Sequence, residues 1–451
     1  MRSHSAPRSI LVTIAMVGVA IAGAACGPAP SDPPVPTSDP AGVAAALEEG
    51  AQLTVWSTDP LLDAAAERFE SDHPAVEIDI LGPGDMNGPD AGLELTVELG
   101  ENIPDVIELY SPDQAADYVR NGLLTDLASF GAEDLESSFV AAAWDSVSFA
   151  NGIWALPVHA DPAAVAYRAD VLGEAGIDGF PVTWEEFAEA AATVKAETGF
   201  YLTAIGAEEV DLLLRQDAPR LVDWDGGDDV AVDVVNPSTL RTTAYWDDLL
   251  DDRVVLKSDF PDPFATLTRG DVASLIGTSA MVEGLAYAPQ IFGAAGEVWR
   301  VASLPQWDAD APSVVGRVFE QWAVPTGSEH PLAAYGFLRW LASERAAAAA
   351  DDDLVSSAPA SIDVLSDVGW LDDEPAFFGG QQVNRVFADA AREMTFSGHD
   401  PAQFWAWRTI GSATSAPSLS GALREVETAC IDFYVREGYT VTTAGDDGGA
   451  G

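Results

Sequence analysis

Lysine is almost missing from this chain. Of its 21 basic residues only Lys195 and Lys257 are lysine, and 73 acidic residues bring the formal charge of the 451-residue chain to −52. A surface of that sign repels a phosphate backbone, which excludes nucleic acid as a partner. The excess reads as a solvated acidic skin that aids solubility and says little about fold. Cysteine is scarce too. Cys26 and Cys430 are the two present, too few for a disulfide framework. The five histidines (4, 73, 159, 330 and 399) are scattered and form no zinc spacing with the cysteines, so the residues call for no metal and no cofactor. There is no Gly-x-Ser-x-Gly elbow, no phosphate-binding loop and no His-Glu-x-x-His pair. Carboxylates are so common that a catalytic pair cannot be inferred from them.

What is present is a large apolar fraction. At 48% hydrophobic the chain can bury a sizeable core and is not a disordered protein. Its length allows two domains or more. The first residues form a targeting segment: Arg2 and Arg8 are basic, and Ile10 to Ala25 is apolar but too short to span a bilayer. It ends Gly23-Ala24-Ala25-Cys26-Gly27, which resembles a bacterial lipobox with a departure at Gly23, where a larger apolar residue is usual. Residues 1–25 therefore read as a lipoprotein signal peptide and Cys26 as the lipidated residue. A Pro-rich tether over 26–50 would hold a globular body off the membrane. The Gly/Asp-rich end, 441–451, reads as a disordered tail.

The stretch from Asn151 to Lys195 is the easiest to interpret. Asn151-Gly152 signals a hairpin, because both residues tolerate φ > 0. Ile153 to Val158 and Ala163 to Tyr167 are strand-like. Pro157 and Pro162 lack N–H groups, which predicts an irregular crossing segment at His159, Ala160 and Asp161. Thr183 and Glu186 predict a helix with a capping box, and Val182 and Phe187 a hydrophobic staple across it. Elsewhere, Leu53 to Trp56 and Val76 to Leu81 are predicted strands. They flank a helix whose apolar face is Leu62, Ala65, Ala66 and Phe69, and together they make a parallel βαβ unit. Ile103 to Leu109, Trp299 to Pro305 and Gly316 to Pro325 are further strands, and Leu332 to Ser343 is an amphipathic helix. Cys430 reads as a buried small hydrophobe in a helix. Trp405 and Trp407 read as packing residues among the C-terminal helices.

The segment GIWALPVHADPAAVAYRADVLGEAGIDGFPVTWEEFAEAA resembles the interlobe crossing of bacterial extracellular solute-binding proteins of the maltose-binding type. LTVWSTDPLLDAAAERFESDHPAVEIDIL resembles that family's opening. Ile103-Pro104-Asp105-Val106 resembles its Pro-Asp-Val strand, and PFATLTRGDVASLIGTSAMVEGL its Gly-x-x-Ala-Met segment. The resemblance runs from about residue 52 to about residue 440. It implies an α/β, two-lobe periplasmic-binding-protein fold with a ligand cleft between the lobes. Lobe 1 would be 51–158 and 296–326, and lobe 2 would be 159–295 and 327–440, with chain crossings near 158–162, 290–296 and 325–330.

In such a fold, ligands lodge at the carboxyl ends of strands. This places Trp56 and Ser57, Tyr110 and Asp113, His159 and Asp161, Ser279 and Glu283, and Glu320 and Trp322 at one cleft. Sugars need aromatic faces and carboxylates, and Trp322 with Glu320 is the candidate pair. Residues two apart in a strand share a face, which would turn Phe319 and Gln321 to the other side. The resemblance implies a binding component of an ABC importer, not an enzyme. It would be a monomer, lipid-anchored outside the cytoplasm, that captures a mono- or oligosaccharide by lobe closure and delivers it to permease subunits. The alternative ligand is a polyamine or other small polar solute. A carbohydrate-active enzyme and a surface scaffold lipoprotein are the competing classes.

Overall fold

The computed structural model describes residues 40–443 apart from 61, 83, 86–87, 90–91, 218–219, 225, 259–262, 288, 293–297, 350–357 and 400–417. The expected signal peptide, Cys26, most of the expected tether, Trp405, Trp407 and the end of the expected second crossing lie outside these residues.

Helix α1 (Pro40–Glu49) precedes β1 (Ala51–Trp56), α2 (Leu62–Asp72) and β2 (Val76–Leu81). The βαβ unit is as expected: β1 and β2 pair in parallel, and α2 buries Leu62, Ala65, Ala66 and Phe69. The expected tether is corrected at its end, because residues 40–49 are helical and bury Val43. Strand β3 (Val106–Leu109) is followed by α3 (Pro112–Arg120), which Ser111 caps by accepting from Gln114 N–H.

Strand β4 (Leu156–Arg168) runs unbroken for 13 residues. This corrects the irregular crossing expected at His159 to Asp161. Its first half pairs antiparallel with β7 (Gly316–Ala323). Its second half pairs with β5 (Ser274–Thr278) and β6 (Trp299–Ser303). The two prolines are tolerated because they stand near the ends of the β7 pairing, Pro157 opposite Gln321 and Pro162 opposite Gly316. At Ala163 the strand changes partners. The resulting sheet has the order β5-β4-β7-β3-β1-β2, with β6 also on β4. One continuous strand thus carries two groups of strands, and the crossing is a β-strand rather than a loop.

Gly316 marks the change of partner. A Cβ there would collide with Met394 Sδ, the Asp161 carbonyl oxygen and Pro162 Cα, so only glycine allows the backbones to approach so closely.

Two large cores flank the long strand. One contains Leu53, Val55, Phe69, Val106, Leu109, Trp322 and Phe337. The other contains Val165, Leu172, Trp184, Phe187, Trp246 and Ile276. The capping box on α4 (Trp184–Thr198) is present as expected. The staple is not: Val182 is 63% exposed while Phe187 is buried. The two-residue hairpin turn also shifts by one residue. Ala150 and Asn151 take positive φ, and Gly152 opens the next strand.

Helix α5 (Ser279–Tyr287) follows β5 directly. Helix α6 (Pro331–Ala349) packs on α1 and α2 and against β1. The same helix, inside the expected lobe 2, also packs on β4. Helix α7 (Val383–Glu393) packs on β4 and β6. Helix α8 (Leu419–Arg436) buries Cys430 as expected. It covers a three-stranded sheet of Val222–Trp224, Asp229–Val232 and Thr440–Thr443. The expected disordered tail therefore cannot start at 441, because residues 440–443 form a parallel ladder with Asp229–Val232.

Candidate functional site

The site grows from the carboxyl end of β1. Trp56 and Ser57 are both buried, and Ser57 Oγ donates to Glu108 Oε2 at 2.8 Å. The Thr58 N–H donates to the same oxygen at 2.8 Å. Glu108 lies on β3, where Val106, Ile107 and Leu109 are buried. Burial pushes its carboxyl up, the two hydrogen bonds pull it down, and the charges of Glu320 and Asp59 push it up again. The Tyr110 hydroxyl is 2.7 Å from Thr58 Oγ1, and its ring is 50% exposed. Asp113 is half-buried in the first turn of α3.

From β4, His159 places Nε2 3.0 Å from Glu320 Oε2 and stacks on Phe319, with ring centroids 5.2 Å apart. Its Nδ1 is buried and makes no hydrogen bond. Two residues on, Asp161 is buried and accepts from the Ser279 hydroxyl and from the Ala280 N–H at 2.8 Å, both in the first turn of α5. A carboxylate at a helix N-terminus meets unsatisfied N–H groups and a favourable dipole. Burial still dominates and pushes the Asp161 carboxyl up, against the hydrogen bonds from Ser279, Thr278 and Ala280. One turn along α5 stands Glu283, a half-buried side chain whose Oε2 is inaccessible and makes no hydrogen bond. Burial first, then the charges of Asp161 and Asp373, push its carboxyl well above the usual range.

From β7, Glu320 is 8% exposed and takes φ +55°. The Trp322 indole N–H donates to its Oε1 at 3.2 Å. Those two side chains therefore meet, as expected. Phe319, however, is not turned away, since it stacks on His159, its partner across the strands. The left-handed backbone at Glu320 breaks the alternation that the expectation relied on. Trp322 is 1% exposed and belongs to the large core, so it has no open face.

Three bonded groups, Ser57 and Thr58 on Glu108, His159 and Trp322 on Glu320, and Ser279 and Ala280 on Asp161, are linked by charge into one polar row, Glu108 to Glu320, His159 to Asp161 and Asp161 to Glu283. Glu108, Thr58 and Phe319 were not singled out in the sequence. Glu108 had a signal, as a single carboxylate in a short apolar strand, where an unpartnered charge is costly.

Residues 56–348 match the family of bacterial extracellular solute-binding proteins. A lactose-binding protein of Rhizobium radiobacter is 24% identical over 366 residues, which cover 75% of this chain and 81% of that protein. An uncharacterized lipoprotein of Streptomyces antibioticus is 28% identical over 189 residues, 40% of this chain and 38% of that one. Among solved structures, the galacto-N-biose/lacto-N-biose I-binding protein of an ABC transporter from Bifidobacterium longum, in complex with lacto-N-biose, superposes with a TM-score of 0.71 at 21% identity, over 87% of this chain and 98% of that one. The fold is the two-lobe solute-binding fold, and the chain belongs to the bacterial extracellular solute-binding protein family.

Proposed function

We propose that this protein is the binding component of an ATP-driven importer. It captures a carbohydrate between its lobes and delivers it to permease subunits, doing no chemistry on it. The observation that carries the reading is the polar row itself. Hydroxyls and carboxylates from the end of β1, from β3 and from β7, with the imidazole of β4, lie beside the exposed ring of Tyr110. Sugar hydroxyls donate to carboxylates and accept from hydroxyl and imidazole groups, and an aromatic face receives the C–H patches. The lactose-binding relative and the lacto-N-biose complex support a saccharide ligand. The ligand-contacting groups would be Tyr110, Glu108, His159, Glu320 and Glu283, with Ser57, Asp161 and Ser279 holding them. Asp113 would stand at the rim, and Trp56 and Trp322 would back the site from the core. The protein would work as a monomer outside the cytoplasm, tied to the membrane through Cys26, in keeping with its lipoprotein relative.

A thermal-shift screen over neutral and amine-bearing mono- and disaccharides, with spermidine alongside, tests this. A ligand at 100 times its Kd stabilises by about 2.7 kcal/mol. Stabilisation by saccharides is the expected result. Stabilisation by spermidine and by no saccharide would transfer the site to small organic cations.

A further inference from the structure

Glu320 stands where β7 changes its pairing. The ladder with β4 runs from Gly316 to Trp322, but the ladder with β3 begins only at Gln321. Before Glu320, β7 runs along the part of β4 that carries His159 and Asp161. Beyond it, β7 is also tied to β3. The backbone angle at Glu320 thus sets how the β3 side of the sheet meets the stretch of β4 that leads on to β5 and β6. The register is the same on both sides, with Phe319 on His159 and Gln321 on Pro157. No residue is inserted, so the φ of +55° at Glu320 is not the mark of a bulge. Pro157 has no N–H to give to the ladder, so the pairing offers little resistance to a change of angle at this point.

The side chain holds that angle. In an extended strand Glu320 would share a face with Trp322. Trp322 stands opposite Glu108 on β3, so that face is also the face of Glu108. The left-handed backbone instead carries the Glu320 carboxylate to His159, 3.0 Å from Nε2, and His159 stacks with Phe319 on the other face. The Trp322 indole N–H reaches Oε1 in this position and lies on the face to which the carboxylate would return. Two carboxylates on one face repel each other, which favours the imidazole as the resting place of Glu320. Hydroxyl donors set between the two carboxylates remove that advantage.

We propose that Glu320 is a ligand-operated joint: a saccharide whose hydroxyls donate to Glu108 and Glu320 together draws the Glu320 carboxylate off His159, and the backbone passes from the left-handed to the extended region, straightening β7 between its two pairings. This rests on the carbohydrate reading of the site given above and adds the step by which contact with the ligand reaches the arrangement of the lobes. The coupling arises because the ligand meets both carboxylates in the extended form and only Glu108 in the left-handed one. The strain given up at Glu320 offsets part of the lost contact with His159. Closure then needs no separate trigger, since the residue that takes up the ligand also sets the angle.

The test uses the full chain, first without ligand. His159→Phe keeps a ring against Phe319 and removes the contact with Glu320; Nδ1 makes no hydrogen bond that could be lost with it. A crystal structure of this variant is expected to show a negative φ at Glu320, with its carboxylate on the face of Trp322 and Glu108. A positive φ there overturns the inference. Glu320→Ala and Glu320→Gly give a second measurement. If side-chain contacts hold the angle, both variants relax to an extended strand, and the glycine variant melts no higher than the alanine variant, because glycine is the poorer strand residue. If the fold itself imposes the angle, glycine adopts it freely and melts higher, which also overturns the inference. The ligand arm is a co-crystal of the parent with lactose, or with whichever saccharide of the thermal-shift screen stabilises the parent most. Glu320 is expected to be extended and to accept from a sugar hydroxyl. A bound saccharide with Glu320 still left-handed overturns this inference and leaves the carbohydrate reading intact. If no saccharide of the screen binds, that reading falls and this inference falls with it.

Discussion

His159 pairs with Glu320, 3.0 Å from Nε2 to Oε2, although its partner across the strands is Phe319. In a regular antiparallel ladder, the side chain next to a paired residue points to the opposite face. Glu320 reaches back because its backbone is left-handed, φ +55°, a conformation that costs a non-glycine residue on the order of 1 kcal/mol or more. Strain of this kind persists only where surrounding contacts over-determine it. Here the contacts are the imidazole of His159 and the indole N–H of Trp322. The strained residue also joins the β3 and β4 halves of the polar row.

Trp322 should behave as a core residue. It is 1% exposed and packed in the large core. Trp322→Ala is expected to lower unfolding stability by about 3–5 kcal/mol, the range for deleting a buried large aromatic, as measured by urea denaturation. A stable Trp322→Ala protein with lost affinity would instead make it a ligand-stacking residue.

Gly316 should tolerate no side chain. A methyl group there meets the Asp161 carbonyl and Pro162 Cα as well as Met394. Backbone cannot yield as a flexible side chain can, so Gly316→Ala is expected to cost about 2 kcal/mol. The denaturation midpoint checks this, and an unchanged midpoint would mean that the two strands separate there without cost.

The architecture was legible where one physical rule acts alone. The apolar face at Leu62, Ala65, Ala66 and Phe69 and the Thr183–Glu186 capping box depend on neighbours three or four residues away, so the sequence displays them. The β4 crossing was not legible. Two prolines argue against a strand locally, and only the change of partner at Ala163 shows why they are tolerated. Within the site, His159 meets Glu320 and Asp161 meets Ser279, but His159, Asp161 and Glu320 stand inside β4 and β7 rather than at the strand ends the expectation relied on. Glu108 was visible only as an anomaly, and the turn of Glu320 toward His159 depends on a backbone angle that no side-chain pattern encodes.

Stability should depend on pH through His399. Its Nε2 bonds to the Ser146 carbonyl at 2.9 Å, so Nε2 carries the hydrogen. Burial pushes the imidazole down to about 4 from the ordinary 6.5. Because the folded value is the lower one, protonation favours the unfolded chain. The contribution is complete above pH 6.5 and is lost as pH falls toward 4, by about 3 kcal/mol at most. Glu283, Asp161 and Glu108 are pushed up and act in the opposite direction, so the variant comparison is the readout. His399→Gln should lose less stability than the parent between pH 7 and pH 4 in urea titrations. Equal losses would show that His399 does not titrate in this way.

Cys26 should hold the protein on the membrane. It follows the basic residues Arg2 and Arg8 and an apolar run and precedes a Pro-rich stretch. Cys26→Ala is expected to move the protein from the membrane fraction into the medium, as followed by fractionation and immunoblotting. A variant that stays membrane-bound like the parent would remove the anchor from Cys26.

Tyr110 should be the aromatic platform of the site. Its ring is half exposed, yet its hydroxyl is fixed by Thr58 at 2.7 Å, so the ring is oriented without being buried. Two residues before it, Glu108 is held by Ser57 and by the Thr58 backbone, which puts an acceptor beside the aromatic face. A ring already held in place loses little freedom when a ligand arrives, and so more of its contact energy appears as affinity. Tyr110→Ala is expected to weaken the best saccharide by about tenfold, corresponding to about 1.4 kcal/mol. Tyr110→Phe keeps the ring and should stay within about threefold of the parent. Because the ring is exposed, neither change should move the denaturation midpoint by more than about 0.5 kcal/mol. Calorimetry on the two variants separates the outcomes. Equal losses in both would place the effect in the hydroxyl and its bond to Thr58, and no loss in either would take Tyr110 out of the site.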